Sequence, residues 1–294
     1  MSFNLKDYNE KVKNYIGVNV WWDIQTASIP VGLMKETLSS VGLNPDLIDR
    51  SSNKVAFKRA GKALTRIRHE NATHATMSRP IADKPNTVVI GIVSETVEKN
   101  DETLDYQVQT TARLDKETGK ISVEGKHGDA MLTKYRHFKR VVTGDDIRGL
   151  LKFIIEQSCG GCALRRHGGI YFVPKIKVGL VAKLEELVSK LDCGSLTIFR
   201  VSDASTERQV AWQSVEDEII KKIDRITFAV GNIEKREPAI KRQSDRLDKV
   251  QNMLEYYVEL CDTETVAQSI TAKLQAAEKL ISDKIAEIQK NTKE

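Results

Sequence analysis

Long apolar runs are missing from this chain. None of its 294 residues lies in a stretch approaching the ~18 to 20 apolar positions that crossing a bilayer requires, so no membrane partner is expected. The opening Met1-Ser-Phe-Asn-Leu-Lys-Asp-Tyr8 lacks the charged-then-apolar layout of a signal peptide, which places the expected compartment in the cytoplasm. Cysteine is scarce: Cys159, Cys162, Cys193 and Cys261 are too few for a disulfide framework, and a reducing compartment argues against one. Catalytic signatures are missing as well. There is no HExxH, no GxSxG, no Gly-rich phosphate loop ending in Lys-Ser/Thr and no GxGxxG. These absences move the expectation from catalysis to binding, with no enzyme activity, cofactor or metal site anticipated.

What is present is a chain with enough hydrophobic residues (40%) for a sizeable core and a formal net charge of +5. A mildly basic balance is compatible with nucleic acid without being diagnostic of it. The alternating Val18-Asn-Val-Trp-Trp-Asp-Ile24 reads as a strand, with Trp21 and Trp22 on opposite faces, either both packing or one of them a contact. Ser28 and Pro30 suit a helix start, followed by the apolar face Val31, Leu33, Met34, Leu38 and Val41.

Residues 54 to 69 read as one basic helix. Phe57, Ala60, Leu64 and Ile67 form its buried stripe, while Lys54, Lys58, Lys62 and Arg66 recur every four residues beside Arg59 and Arg68. Like charges at i, i+4 destabilise a helix, so the row calls for an anion opposite it. Phosphates or an acidic protein surface would serve, and a solvated polar face is the plainer alternative. Residues 71 to 86 read as a connecting loop.

Thr87–Val93, Leu104–Ala112 and Ile121–Val123 read as an antiparallel meander with one open face. Lys134-Tyr-Arg-His-Phe-Lys-Arg140 interleaves cations with aromatic rings, a mixture suited to phosphates and bases. A helix from Asp145 to about Gln157 follows, capped by Thr143 or Gly144, with Asp145 and Asp146 in its first turn. A strand at 170–173, a helix over 176–191 and a strand at 195–201 complete an α+β pattern.

Between these elements, Cys159-Gly-Gly-Cys162 sits at the C-terminal pole of a helix, the wrong pole for a reactive thiol. As half a zinc site it would need His167 and Cys193 at a spacing that matches no closed structural site. A Gly-Gly turn with two small half-buried cysteines is the simpler reading. Ala163–Pro174, with Arg165 and Arg166 ahead of Gly168-Gly169, reads as a turn feeding a buried strand.

From Ser205 onward the sequence is helical. Narrow apolar seams run through Trp212 to Ile233, Ile240 to Cys261 and Val266 to Ile288, flanked by Lys and Glu, the pattern of coiled coils or slender bundles. An antiparallel hairpin or association of copies would bury them, so a homo-oligomer or a projecting arm is expected. The resulting picture is an α+β fold, a small antiparallel sheet with helices on one face, followed by a long helical coiled-coil arm. Three segments are expected: residues 1–80, mostly helical with the basic helix; an α+β domain at 81–204; and the arm at 205–294.

Val20-Trp-Trp-Asp-Ile24, Phe57-Lys-Arg-Ala60, Asp146-Ile-Arg148 and Leu164-Arg-Arg-His-Gly-Gly-Ile-Tyr-Phe-Val-Pro174 together resemble an uncharacterised family of bacteriophage and archaeal-virus proteins. The resemblance covers roughly residues 18 to 230 and implies a viral origin, hence the cytoplasm of an infected host, but no reaction. The expected function is nucleic-acid binding of low specificity through Lys54, Lys58, Arg59, Lys62, Arg66, Lys134, Arg136, Lys139, Arg140, Arg165 and Arg166. The alternative is a factor that binds and inhibits a host defence or replication complex, using the arm and an exposed tryptophan.

Overall fold

A computed structural model describes residues 8–10, 12–48, 53–69, 73–98, 103–165, 169–233, 237–257 and 264–291. The fold is α+β with antiparallel sheets. The three consecutive segments expected from the sequence are not the packing units. One unit joins Met1–Gln25 to Arg148–Glu294, and the other is Thr26–Ile147. The reason is strand pairing: the first strand, β1 (Tyr15–Ile24), finds its partners far downstream, from Val20 with Tyr171 to Tyr15 with Ser202.

The second unit opens with β2 (Ser28–Pro30), which pairs with β8 (Val141–Thr143), so Ser28 is in a strand and caps no helix. Helix α1 (Val31–Ser40) follows, burying Met34 and Leu38. The basic helix, α2, spans only Asn53–Lys62. Residues 66–69, expected as its continuation, form β3 (Arg66–His69), paired with β4 (Thr73–Asp83) in the stretch expected as a loop. The helix stops where backbone bonds from Leu64 to Gly61 and from Thr65 to Lys62 tighten its last turn. Pro80 is tolerated in β4 because the register shifts between Pro80 and Ala82.

The five-stranded sheet continues through β5 (Thr87–Glu98), β6 (Thr103–Asp115) and β7 (Ile121–Gly125), in consecutive order. Helix α3 (Gly128–Arg140) then packs beside α2. Ala56, Phe57 and Ala60 of α2 and Met131 and Tyr135 of α3 meet Val88, Ile90, Ala112 and Leu114 of the sheet. Both helices thus lie on one sheet face, including α3, a stretch read from the sequence only as a basic and aromatic patch. Gly61 makes this contact close: a Cβ there would come 2.5 Å from Ile90 Cδ1 and 2.7 Å from the Ser78 hydroxyl oxygen.

Helix α4 (Gly144–Phe153) starts with a capping box: Asp146 accepts from the Thr143 amide (2.9 Å), and the Asp146 amide donates to Thr143 Oγ1 (3.4 Å). Its last turn widens to a π-turn at Ile154–Ser158. Strands β9 (Cys162–Ala163) and β10 (Tyr171–Pro174), helix α5 (Val178–Leu191) and strand β11 (Gly194–Ser202) follow. The four-stranded sheet has the order β11-β1-β10-β9, so β10, expected as a buried strand, is interior and buried at every residue.

Side chains directly opposite in antiparallel strands share a face. Val18 and Val20 therefore stand beside Val173 and Tyr171 on one face, and Asn19 beside Phe172 on the other. The adjacent tryptophans do point to opposite faces, and Trp22 stacks on Tyr171 with ring centroids 5.4 Å apart.

Three helices close the chain: α6 (Ser205–Gly231), α7 (Glu237–Glu255) and α8 (Glu264–Asn291). They pack pairwise on one another, and their apolar seams merge into one core with Ile16, Cys162, Phe172 and Val201 of the sheet. The expected projecting arm is therefore corrected to a three-helix bundle seated on the four-stranded sheet. Each seam needed a partner, and the chain supplies it internally; the seams no longer argue for assembly of copies.

Candidate functional site

The cations singled out in the sequence meet on the helix layer of the Thr26–Ile147 unit. Two anchors set that layer. Asn53 Nδ2 donates to the Lys116 carbonyl (3.2 Å), and the Tyr135 hydroxyl donates to the Gly119 carbonyl (2.9 Å). Both acceptors lie in the β6–β7 turn, where Gly119 takes a left-handed φ of 70° and a Cβ would meet the Asn53 amide at 2.8 Å. Phe57 packs edge-on against Tyr135, centroids 6.4 Å apart, so the two helices lie side by side. With their apolar stripes turned to the sheet, the remaining faces carry the charge.

On α2 the basic row does find anions, and they are the protein's own. Asp83, at the end of β4, receives Lys54 Nζ at 2.7 Å, Lys116 Nζ at 2.8 Å and Lys58 Nζ at 3.2 Å. Hydrogen bonds from Lys116 and Lys54 hold its carboxyl well below the usual carboxylate range. Three ammonium groups on one carboxylate leave an exposed cluster of net positive charge. Lys62 is exposed and has no ion-pair partner among the described residues.

Arg59 has a different role. Its guanidinium forms a fork with Asp146 at 2.6 and 2.7 Å, and Asp146 also accepts from the amide and hydroxyl of Thr143. Burial alone would raise the Asp146 carboxyl, but the hydrogen bonds from Arg59 and Thr143 outweigh it and hold it low. Arg59 ties α2 to the start of α4 and is not available as a contact residue. Arg66 leaves the row altogether, because it belongs to β3.

On α3, Lys134, Arg136, Lys139 and Arg140 are all exposed. Lys139 sits over the Tyr135 ring, 5.9 Å from its centroid. Arg136, His137 and Arg140 line a groove of about 480 Å³ with Pro30, Thr133 and Val141. The structure therefore gathers two patches some seventy residues apart in sequence onto neighbouring helices. Across both helices the sequence supplies a single acid, Asp129. Arg165 is exposed but belongs to the other unit, and Arg166 lies outside the described residues, as do His167 and Cys261.

The Cys159–Cys162 turn is built by packing. Gly160 takes a left-handed φ of 63°, and a Cβ on it would sit 2.9 Å from Tyr256 Cδ2. On Gly161 a Cβ would reach Ile155 Cγ2 at 2.6 Å and the Ile155 carbonyl oxygen at 2.9 Å. Both thiols are buried, and desolvation pushes each up to about 12, so neither is a nucleophile at neutral pH. Among the described residues no three His, Cys, Asp or Glu side chains cluster as metal ligands.

A second concentration of cations escaped the sequence reading. Lys222 and Arg225 of α6 and Arg246 and Lys249 of α7 line one pocket of about 490 Å³ in the Arg148–Glu294 unit. In the sequence they are ordinary flanks of apolar seams. The only hint was the spacing of like charges three apart on both helices, beside Ile226 and Val250.

The chain belongs to the family of unknown function DUF6744, whose model matches residues 15–293. The match runs through all three C-terminal helices, of which the resemblance noted above left out the last two, so the bundle is part of the family's fold. No curated protein and no solved structure matches the chain. Among the described residues no helix is long and apolar enough to cross a membrane.

Proposed function

We propose that the protein is a non-enzymatic, virus-encoded nucleic-acid-binding protein that grips the phosphate backbone with little sequence preference. The observation that carries this reading is the α2–α3 layer: Lys58, Lys62, Lys134, Arg136, Lys139 and Arg140 are exposed on two adjacent helices that contain one acid. A backbone of regularly spaced phosphates is the anion that such a row accommodates. The viral origin rests on the motif resemblance, carried by residues 20–24, 57–60, 146–148 and 164–174 in combination.

A labelled duplex oligonucleotide titrated across salt concentrations tests the reading. Affinity should fall linearly on a log–log plot, with a slope of about −0.9 per phosphate neutralised. Reversing Lys62, Lys134 and Arg136 to Glu should cost at least about tenfold in affinity, roughly 1.4 kcal/mol or more. Asp83→Asn should strengthen binding and steepen the salt slope, because it removes the carboxylate that competes for Lys54, Lys58 and Lys116. No binding near 50 mM salt, or binding indifferent to the charge reversals, would overturn the proposal.

An acidic host protein would suit the same cations. That alternative was motivated by an exposed tryptophan, yet Trp212 is buried and Trp21 and Trp22 are partly buried. A stoichiometric protein partner that survives nuclease treatment would nonetheless favour it over nucleic acid.

A further inference from the structure

The pocket between α6, α7 and the Cys159–Cys162 turn lies in the other unit and rests on different observations. Its rim carries four cations, Lys222, Arg225, Arg246 and Lys249, against one carboxylate, Glu156. That carboxylate is already engaged by Lys152, whose Nζ lies 3.8 Å away. Lys222 lies 4.0 Å from Glu218 and donates to Met253 Sδ at 3.3 Å. Arg246 donates to the neutral Gln243 amide, and Arg225 and Lys249 have no ion-pair partner among the described residues.

Elsewhere on the same bundle several lysines lie beside acids, although Lys241 and Lys279 have no ion-pair partner among the described residues. Lys273 meets Asp224 at 2.9 Å, Lys284 meets Glu287 at 2.7 Å, and Lys221 lies 4.0 Å from Asp217. What sets the concavity apart is the excess of cations gathered there, four against the single carboxylate of Glu156. Like charges three apart on each helix weaken it, and bringing two such pairs together compounds the repulsion. An anion in the pocket would relieve both.

The rest of the pocket is unlike a bare anion site. Ile226, Val250 and Met253 give it an apolar floor, and Tyr256 stands in its wall. Gly160 lets that ring approach, since a Cβ there would collide with it. Lys177 Nζ lies 4.0 Å from the centroid of the Tyr256 ring and adds a further positive charge beside the site. Gln243 and Asn252 supply amides that can read polar edges. A volume of about 490 Å³ falls in the range of small-molecule sites.

We propose that this pocket binds a nucleoside di- or triphosphate, with the phosphates on Arg225, Arg246 and Lys249 and the base over the apolar floor beside Tyr256. The division of labour follows from the chemistry. Guanidinium groups meet phosphate oxygens in bidentate fashion, and an apolar or aromatic surface accepts any planar base.

The test is calorimetric titration of the full chain with ATP, pyrophosphate and adenosine as probes. ATP is expected to bind one to one, pyrophosphate more weakly and adenosine not measurably. Arg246→Gln with Lys249→Gln should weaken ATP at least about tenfold, since each removes a charge-assisted contact. Arg225→Gln alone, at an exposed position, should weaken it in the same direction should the double variant not fold. Reversing Lys62, Lys134 and Arg136 should leave ATP binding unchanged, which separates this site from the α2–α3 layer. Failure of both ATP and pyrophosphate to bind, equal binding of adenosine, or wild-type affinity in the pocket variants would each overturn the proposal. Displacement of bound ATP by an oligonucleotide at equal phosphate would do so too, assigning the pocket to a nucleic-acid backbone.

Discussion

The two larger sheets of this chain are built from similar strands and used in different ways. In the four-stranded sheet, both faces of β10 are buried: Tyr171 and Val173 on one side and Phe172 on the other are at most 2% exposed. In the five-stranded sheet β5 is likewise buried from Val88 through Val93, but β6 alternates. Ala112 and Leu114 are buried under α2 and α3, while Arg113 and Asp115 are exposed. A strand enclosed on both sides reads as a continuous apolar run, and a strand covered on one side reads as a two-residue repeat. The lesson concerns function. The helices that cover the second sheet turn their apolar stripes to it, so their outer faces carry cations. Asp83 and Asp146 answer some of these, and others, such as Lys62, have no ion-pair partner among the described residues.

The sharpest way to break that contrast is to remove a side chain from the doubly covered sheet. Phe172→Ala should cost about 3–5 kcal/mol in urea unfolding, because the bundle core and Tyr257 both lose a neighbour. Less than about 1 kcal/mol would mean that the bundle does not depend on the sheet for its packing.

Next in size is the Arg59–Asp146 fork. Asp146→Asn should destabilise by about 1–3 kcal/mol at neutral pH, since it leaves a partly buried guanidinium without its charged partner. The sign of the pH dependence follows from the lowered carboxyl. Its contribution is fully present above the unfolded value of about 3.9 and is lost as pH falls through the folded value. The gap between wild type and variant should therefore close in acid. A gap constant between neutral pH and pH about 3 would contradict the assigned role of Arg59.

A smaller effect separates packing cysteines from reactive ones. In a Cys261→Ser background the native protein should resist iodoacetamide at neutral pH, because burial raises the thiols of Cys159, Cys162 and Cys193. Rapid labelling before unfolding would contradict that. The smallest expected effect lies on the five-stranded sheet, where Val108 is 61% exposed. Val108→Thr should change stability by no more than about 0.5 kcal/mol.

Much of the architecture was legible, and the misreadings have physical causes. Thr87–Val93 and Ile170–Val173 announce strands because β-branched residues are concentrated there between turns. Residues 66–69 misled because Ile67 continues the three-four spacing of Phe57, Ala60 and Leu64, while the backbone takes a hairpin with 73–76. Pairing energy from a strand not yet reached in the chain overrode the local period. Residues 71–86 were read as a loop on the strength of Pro80 and Pro85, yet a register shift beside Pro80 accommodates the first of them.

The candidate site shows the same division. The sequence alone determined that residues 54–62 and 134–140 would concentrate cations, with an anion or solvent left open as what would face the first row, because composition and period are local properties. It also determined that three C-terminal helices would each expose a seam in search of a partner. Only the tertiary structure decided which anion answered each cation. Asp83 lies 25 residues from Lys58 and Asp146 lies 87 from Arg59, and folding brings both into contact. It likewise decided that Lys222, Arg225, Arg246 and Lys249 share a pocket, since a charge is shared or left unmatched according to what stands within a few ångströms of it, and that distance belongs to the fold.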